Sequence, residues 1–232
     1  MNVALLTAAG RGTRMHMEIP KQFLHIRNKP VILYTMEVFQ KHPQIDAILV
    51  VTLQEWKEMV WAYAKQYQIT KLRWVVTGGN SGQESIKNGL QVLEKVCNDR
   101  DAVFIHDGNR PLVTHEIISD SFAVYLNKGS AVAAIPCMEA IYKSRDGEKA
   151  DEPLDRREMY RTQTPHTYSL KKLLWAHKEA EKRQLLDTAA TCVLMSLLGE
   201  EIFFSKGSEK NLKLTTEEDI DIFEALLQKE EE

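Results

Sequence analysis

Short apolar runs alternate with longer amphipathic stretches along most of the 232-residue chain. Segments 3–8, 47–52, 72–76, 102–105 and 131–135 are rich in Val, Ile, Leu and Ala with little polar alternation. That is the pattern of strands buried on both faces. Between them, 29–41, 54–67, 83–96 and 115–127 read as helices. Ile32, Met36 and Phe39 fall on one side of the first, and Ile86, Leu90 and Leu93 share a face of the third. Strand, helix, strand at this spacing predicts βαβ units: an α/β fold whose mostly parallel sheet is covered on both faces. Such sheets bind ligands beyond the carboxyl ends of their strands. That rule directs attention to segments 7–21, 77–85 and 106–111.

Residues 141–164 break the alternation. The stretch is dense in charge and contains Gly147 and Pro153, and it reads as an exposed arm or hairpin spanning about 138–164. Helices over 169–182 and 187–198 follow, then short strands near 202–204 and 212–214, and a last helix from Thr216. Glu217, Glu218 and Asp219 place acids where they complement the helix dipole. With no repeat or long linker, the expectation is a single domain over 1–232.

Apolar residues make up 44% of the chain and charged residues 27%, and the formal net charge is −3. A duplex binder carries a basic surplus, so no nucleic-acid partner is expected. Cys97, Cys137 and Cys192 have neither CxxC nor metal-knuckle spacing and read as reduced thiols. No apolar run approaches the roughly 20 residues of a membrane span, so no membrane partner is expected. The first residues lack a basic flank and read as a buried strand rather than a signal peptide. A cytoplasmic location follows as an expectation.

The first chemistry appears after strand one, in Thr7-Ala8-Ala9-Gly10-Arg11-Gly12-Thr13-Arg14. Small residues let the backbone approach a ligand, and turn amides can cradle phosphate. Met15 stands where a dinucleotide-binding GxGxxG would have its third glycine, and no GK[ST] follows, so neither fingerprint is present. This argues against a nicotinamide oxidoreductase. Arg14 and Lys21 add two cations that can neutralise charge developing on a triphosphate.

The segment Ala8-Ala9-Gly10, Arg14-Met15 and Pro20-Lys21-Gln22-Phe23-Leu24 resembles the opening motif of sugar-phosphate nucleotidyltransferases. Later segments agree in order: Gly78-Gly79 with Ser85-Ile86 and Asn88-Gly89-Leu90; His106-Asp107 with Arg110-Pro111; Asp155-Arg156; Gln163-Thr164-Pro165; and Asn211-Leu212-Lys213-Leu214-Thr215 with Asp219. Together they resemble the cytidylyltransferase family of the 2-C-methyl-D-erythritol 4-phosphate and ribitol-5-phosphate enzymes. The resemblance implies a Rossmann-like three-layer fold, CTP and a small polyol phosphate as partners, Mg²⁺ as cofactor, and an arm that dimerises the protein. It implies that Thr7, Ala8, Ala9, Gly10, Gly12, Gly79, Asn80, Ser85, Asp107 and Gly108 form the nucleotide set, with Asp107 beside the metal. Arg14 and Lys21 would stabilise the transition state. Arg156, reaching across a homodimer, and Lys213 would hold the acceptor phosphate, with Thr164 and Asp187 in the same acceptor set.

Four positions depart from the family pattern. Asn109 follows Gly108 where two small residues are usual, Ala140 replaces a hydroxyl residue, His166 replaces Gln, and Thr188 follows Asp187 in place of an acid or small residue. These changes are expected to bear mainly on the acceptor side, with Asn109 touching the nucleotide side. A pocket built to bond a hydroxyl loses affinity when that partner is missing. That weakens a methylerythritol phosphate assignment, and Thr114-His115 with Ile117-Ile118, and Met159-Tyr160 before Gln163, resemble the ribitol phosphate branch, so the reading leans to a ribitol 5-phosphate-like acceptor. A 2-C-methyl-D-erythritol 4-phosphate acceptor and a non-catalytic nucleotide-binding protein are the alternatives.

Overall fold

The computed structural model describes residues 1–10 and 19–231, so Gly12 and Arg14 lie outside the described residues. The expected strands are present: β1 (Asn2–Ala8), β4 (Ala47–Thr52), β5 (Leu72–Thr77), β6 (Ala102–Asp107) and β7 (Ser130–Pro136). The strand expected near 202–204 forms as β11 (Phe204–Lys206), and with the further strand β10 (Tyr160–Ser169) it completes the central sheet, in the order β11-β7-β10-β6-β1-β4-β5. β10 runs antiparallel to both its neighbours, while β1 pairs in parallel with β4 and β6, β4 with β5, and β7 with β11.

The apolar runs reflect burial on both faces. Along β1, Ala4 and Leu6 point into one core with Ile32, Met36 and Phe39 of α1 (Val31–Lys41), Val60 of α2 (Lys57–Gln66) and Ile117 of α4 (His115–Lys128). Val3 and Leu5 point into the other, with Leu90 and Leu93 of α3 (Gly82–Leu93), Leu173 of α5 (Leu170–Lys182) and Leu194 of α6 (Thr191–Leu197). The result is three layers with alternate strand residues feeding opposite cores. α3 lies close on the sheet because Gly89 has no side chain: a Cβ there would meet Leu5 Cδ1 at 2.8 Å. Among the described residues no helix is long and apolar enough to cross a membrane.

Several boundaries differ from expectation for identifiable reasons. α1 starts at Val31 because Lys29–Pro30 (β3) pairs with His25–Ile26 (β2). The helix expected over 54–67 opens with a 3-10 turn at Gln54–Trp56. The helix expected from 187 starts only at Thr191, because the Thr188 amide and hydroxyl both donate to Gln83 Oε1 at 2.9 Å. Segment 212–214 is not a strand; it is held by bonds from single side chains, described below. The C-terminal helix α7 (Glu217–Glu231) follows Thr216 as expected, with Asp219 Oδ2 accepting from the Thr215 and Thr216 amides at 2.6 and 2.8 Å.

The largest correction concerns the arm. A two-stranded hairpin of β8 (Ile141–Lys143) and β9 (Glu152–Leu154) does project, with most of its side chains exposed. Residues 160–164, placed in the arm by the sequence reading, instead begin the central strand β10. Pro165 is tolerated there because the register with β7 shifts between Thr162 and His166.

Candidate active site

β1 is the point where strand order reverses, with β4 on one side and β6 on the other. A cleft of about 1160 Å³ opens there, above the carboxyl ends of β1, β5 and β6, where such folds bind their ligands. Thr7 and Asp107 are register partners, so the ends of β1 and β6 lie side by side beneath it.

One wall is made of backbone and small side chains. Thr7, Ala8, Ala9 and Gly10 line it, facing the run from Gly78 to Ser85 at the start of α3. Gly78 lets the two walls touch: a Cβ on it would lie 2.4 Å from Ala9 Cβ and 2.9 Å from Ser85 Oγ. The turn is braced locally. Gly79 N–H donates to Ser85 Oγ at 3.0 Å, Ser81 caps α3 through the Glu84 amide at 3.1 Å, and Asn80 N–H donates to Glu84 Oε2 at 2.7 Å. The free amides of this first turn and the helix dipole favour an anionic ligand. The opposing turn is held by Gln22, whose Nε2 donates to the carbonyls of Ala8 and Gly10 at 2.6 and 3.1 Å. Sequence reasoning gives Gln22 no role, because a bond from a side chain to a carbonyl leaves no spacing pattern. The Gly78→Ala variant is expected to weaken binding of the nucleotide that the sequence resemblance implies by roughly tenfold or more, since overpacking forces the walls apart; calorimetric titration with CTP checks this.

The other wall carries the charge. Asp107 Oδ2 accepts from Arg110 Nε at 3.0 Å, and Lys213 Nζ lies 3.1 Å from Asp107 Oδ1. Burial pushes the Asp107 carboxyl up, but the cations of Lys213 and Arg110 outweigh it and hold it well below the usual carboxylate range. Arg110, part of the HDxxRP-like segment, carries no site role in the sequence reading; its i+3 spacing from Asp107 is the feature that points to the pair.

Behind Asp107 lies a hydrogen-bonded chain. His106 is fully buried, and its Nε2 sits 3.3 Å from the Arg110 carbonyl, which can only accept. Nε2 therefore carries the proton and Nδ1 accepts from the Thr164 hydroxyl at 3.0 Å. Thr164 Oγ1 in turn accepts from Asp107 N–H at 3.0 Å. Burial pushes His106 down to about 3 and His166, on the cleft floor, down to about 4. Both are neutral at neutral pH.

Lys21 also lines the cleft and donates to the Thr215 carbonyl. Thr188, pinned by Gln83, lines the far end. Other expected residues lie elsewhere. Gly108 lies under the cleft, donating to the Thr7 carbonyl at 2.8 Å and accepting from Thr35 Oγ1 at 2.9 Å. Arg156 is exposed at the base of the hairpin, with Nη1 donating to the Met138 carbonyl at 2.8 Å, and is not part of this chain's cleft lining. Asp187 and Ala140 are exposed outside it.

A glycine-walled nucleotide cleft with a carboxylate held between two cations, on this sheet, defines an α/β nucleotidyltransferase. Residues 2–229 match the family described as IspD: 2-C-methyl-D-erythritol 4-phosphate cytidylyltransferase. The chain belongs to this cytidylyltransferase family. It is 40% identical over 233 residues, covering 100% of both chains, to a protein of Lacticaseibacillus paracasei named ribitol-5-phosphate cytidylyltransferase. A protein of Clostridium botulinum named 2-C-methyl-D-erythritol 4-phosphate cytidylyltransferase is 34% identical, covering 98% of each chain. The crystal structure of 4-diphosphocytidyl-2C-methyl-D-erythritol synthase from Anaerococcus prevotii superposes with a TM-score of 0.81 at 23% identity, covering 98% of this chain and 96% of that one. The shared fold is thus the three-layer nucleotidyltransferase fold expected from the motifs.

Proposed function

We propose that the protein transfers CMP from CTP to the phosphate of a short polyol, with ribitol 5-phosphate as the favoured type of acceptor. The observation that carries this reading is the Asp107, Arg110 and Lys213 cluster, set across one cleft from the glycine wall at Gly78 and Gly79. An acceptor phosphate oxygen attacks the α-phosphorus of CTP and forms the new O–P bond. The bond from the α-phosphorus to the bridging oxygen breaks, and pyrophosphate leaves with that electron pair. A phosphate monoester has its second pKa near about 6 and is largely deprotonated at pH 7, so the step needs no general base. The neutral, buried state of His106 and His166 is consistent with that.

The work of the chain is then positioning and charge neutralisation. Backbone groups of Ala8, Ala9 and Gly10 border the nucleotide, with Gly79, Asn80 and Ser85 at its base and ribose. Lys21 and Arg14 act on the triphosphate. Lys213 meets the acceptor phosphate beside Thr164. Arg156 stands outside its own cleft, which suits a homodimer in which the hairpin carries it to a partner's site. Among the described residues no group of three or more His, Cys, Asp or Glu is placed to hold a metal. Mg²⁺ bound mainly by phosphates and water asks for only one hard carboxylate, and the anionic Asp107 at the end of β6 fits that role. When bound, the ion would draw charge from the triphosphate. A cytoplasmic setting, where CTP is found, suits the reading.

The relative at 40% identity favours the ribitol phosphate acceptor, whereas the family description and the Clostridium relative favour methylerythritol phosphate. Pyrophosphate release with CTP and Mg²⁺ should be faster with ribitol 5-phosphate than with 2-C-methyl-D-erythritol 4-phosphate. The reverse order would transfer the assignment to the second acceptor, and silence with both alongside CTP binding would sink the transferase reading.

A further inference from the structure

Lys213 sits on a segment with no regular secondary structure, yet its ammonium must be held to within a fraction of an ångström to act on a phosphate. Side chains from the cleft floor hold that segment in place. Arg110 Nη1 donates to the Asn211 carbonyl at 2.7 Å, Lys21 Nζ donates to the Thr215 carbonyl, and Asn109 Nδ2 donates to the Leu214 carbonyl at 2.7 Å. Asn109 alone of these grips the residue next to Lys213 twice, because its own carbonyl also accepts from Leu214 N–H at 2.9 Å. The amide orientation is set by its partner: turned over, Oδ1 would face a carbonyl oxygen. Arg110 is also paired with the Asp107 carboxylate, and both it and Lys21 are cations that border the cleft, whereas Asn109 is neutral and its side chain is spent on the segment.

We propose that Asn109 is a positioning residue for Lys213, clamping residues 211–215 so that the ammonium stays at Asp107 and meets the acceptor phosphate in one place. This deepens the transferase reading and rests on it for the identity of the ligand. Asn109 borders the cleft, but the geometry gives its amide nitrogen to the protein rather than to the nucleotide. Its effect is therefore on the acceptor side, in contrast to the nucleotide-side effect expected from sequence. The clamp must lose force when the side chain can no longer donate: an alanine leaves the Leu214 carbonyl unpaired beside the cation it steers.

The test is a double-mutant cycle of Asn109→Ala with Lys213→Ala, read in two ways. In turnover with CTP, Mg²⁺ and ribitol 5-phosphate, Asn109→Ala should lower kcat/KM for the acceptor by about tenfold. The dissociation constant for CTP should stay within about twofold of the wild type. In the Lys213→Ala background the same change should cost nothing further. In amide hydrogen exchange, Asn109→Ala should speed exchange across 211–215 and leave β5 and α3 unchanged. That second readout does not depend on the reaction: a wild-type enzyme silent with polyol phosphates indicts the transferase reading, while the exchange result still decides the clamp. Unchanged exchange over 211–215, or losses that multiply in the double variant, would overturn the proposal. Should Asn109→Ala yield too little folded protein, Asn109→Ser, whose hydroxyl is too short to reach, is read with the same cycle and the same outcomes.

Discussion

Replacing Lys213 with alanine is expected to lower kcat/KM for pyrophosphate release by about 10²–10³-fold, the range found when one charge-stabilising donor is removed from a polar active site. The reaction brings an anionic acceptor phosphate against a triphosphate that is itself anionic. Two unit charges about 4 Å apart at an effective dielectric of about 20 repel by about 4 kcal/mol, so a cation placed between them has leverage of that order. The proposed transferase reading puts Lys213 there: Nζ is 3.1 Å from Asp107 Oδ1 and its side chain is 44% exposed, leaving room for a phosphate to approach. The loss should be catalytic rather than structural. Asp107 keeps its contact with Arg110 at 3.0 Å when Lys213 is gone, so no bare carboxylate is left and the melting temperature should move little. Lys213→Arg keeps the charge but exchanges a compact ammonium for a planar fork, and should recover part of the activity. Steady-state kinetics alongside thermal unfolding separate these outcomes. A Lys213→Ala enzyme within about threefold of wild type would mean that the ion pair serves the fold and that the acceptor phosphate is held elsewhere.

The sheet is legible in the sequence to the extent that its strands are buried among apolar partners. β1, β4, β6 and β7 lie between two helical layers and each reads as an apolar run, while β5, at the sheet edge, reads as one interrupted by the exposed Arg73. β10 is just as central, but its first half reads as part of the arm. Its buried residues include Gln163, Thr164 and His166. The polar groups of the first two are satisfied by partners far away in sequence: Gln163 bonds Ser208, and Thr164 bonds His106 and Asp107. Periodicity cannot detect such compensation, because each residue taken alone looks like loop. The same limit applies to the site. Asp107 and Lys213 are legible as motif residues, and the fold brings them together from distant parts of the chain. Gln22 has no role on sequence grounds and Asn109 reads as a nucleotide-side change, since bonding a carbonyl requires no special residue type. Arg156 is legible as a motif residue, yet a single chain leaves it in solvent; its role depends on whether a second chain meets the hairpin.

Stability should fall steeply between pH 7 and pH 5, well before carboxylates begin to titrate. Among the described residues four histidines are buried, three of them with strongly lowered values: burial pushes His106 down to about 3 and His166 and His177 down to about 4, and it lowers His42 as well. An unfolded histidine titrates near about 6.5. As pH falls through that value the unfolded chain takes up protons that the folded chain refuses, so the stabilisation is fully present above about 6.5 and is lost towards the folded values. The limiting slope is about 1.4 kcal/mol per pH unit for each histidine, or about 4 for three, and the loss by pH 5 is of order 5 kcal/mol. That equals a large part of the roughly 5–15 kcal/mol that holds a typical domain together. Asp107 works in the opposite range: its depressed pKa stabilises the fold above its unfolded value near about 3.9, and that contribution is lost only in stronger acid. The histidine and carboxylate contributions therefore separate on the pH axis. Urea unfolding followed by circular dichroism at half-unit steps from pH 7.5 to 5 measures the slope directly. His177, on α5 and outside the Asp107 network, gives the control: His177→Gln should reduce the slope by about one third. A flat profile between pH 7 and 5 would mean that the folded protein binds these protons as readily as the unfolded chain, and that the three rings are not sealed from water as their burial at 6% exposure or less implies.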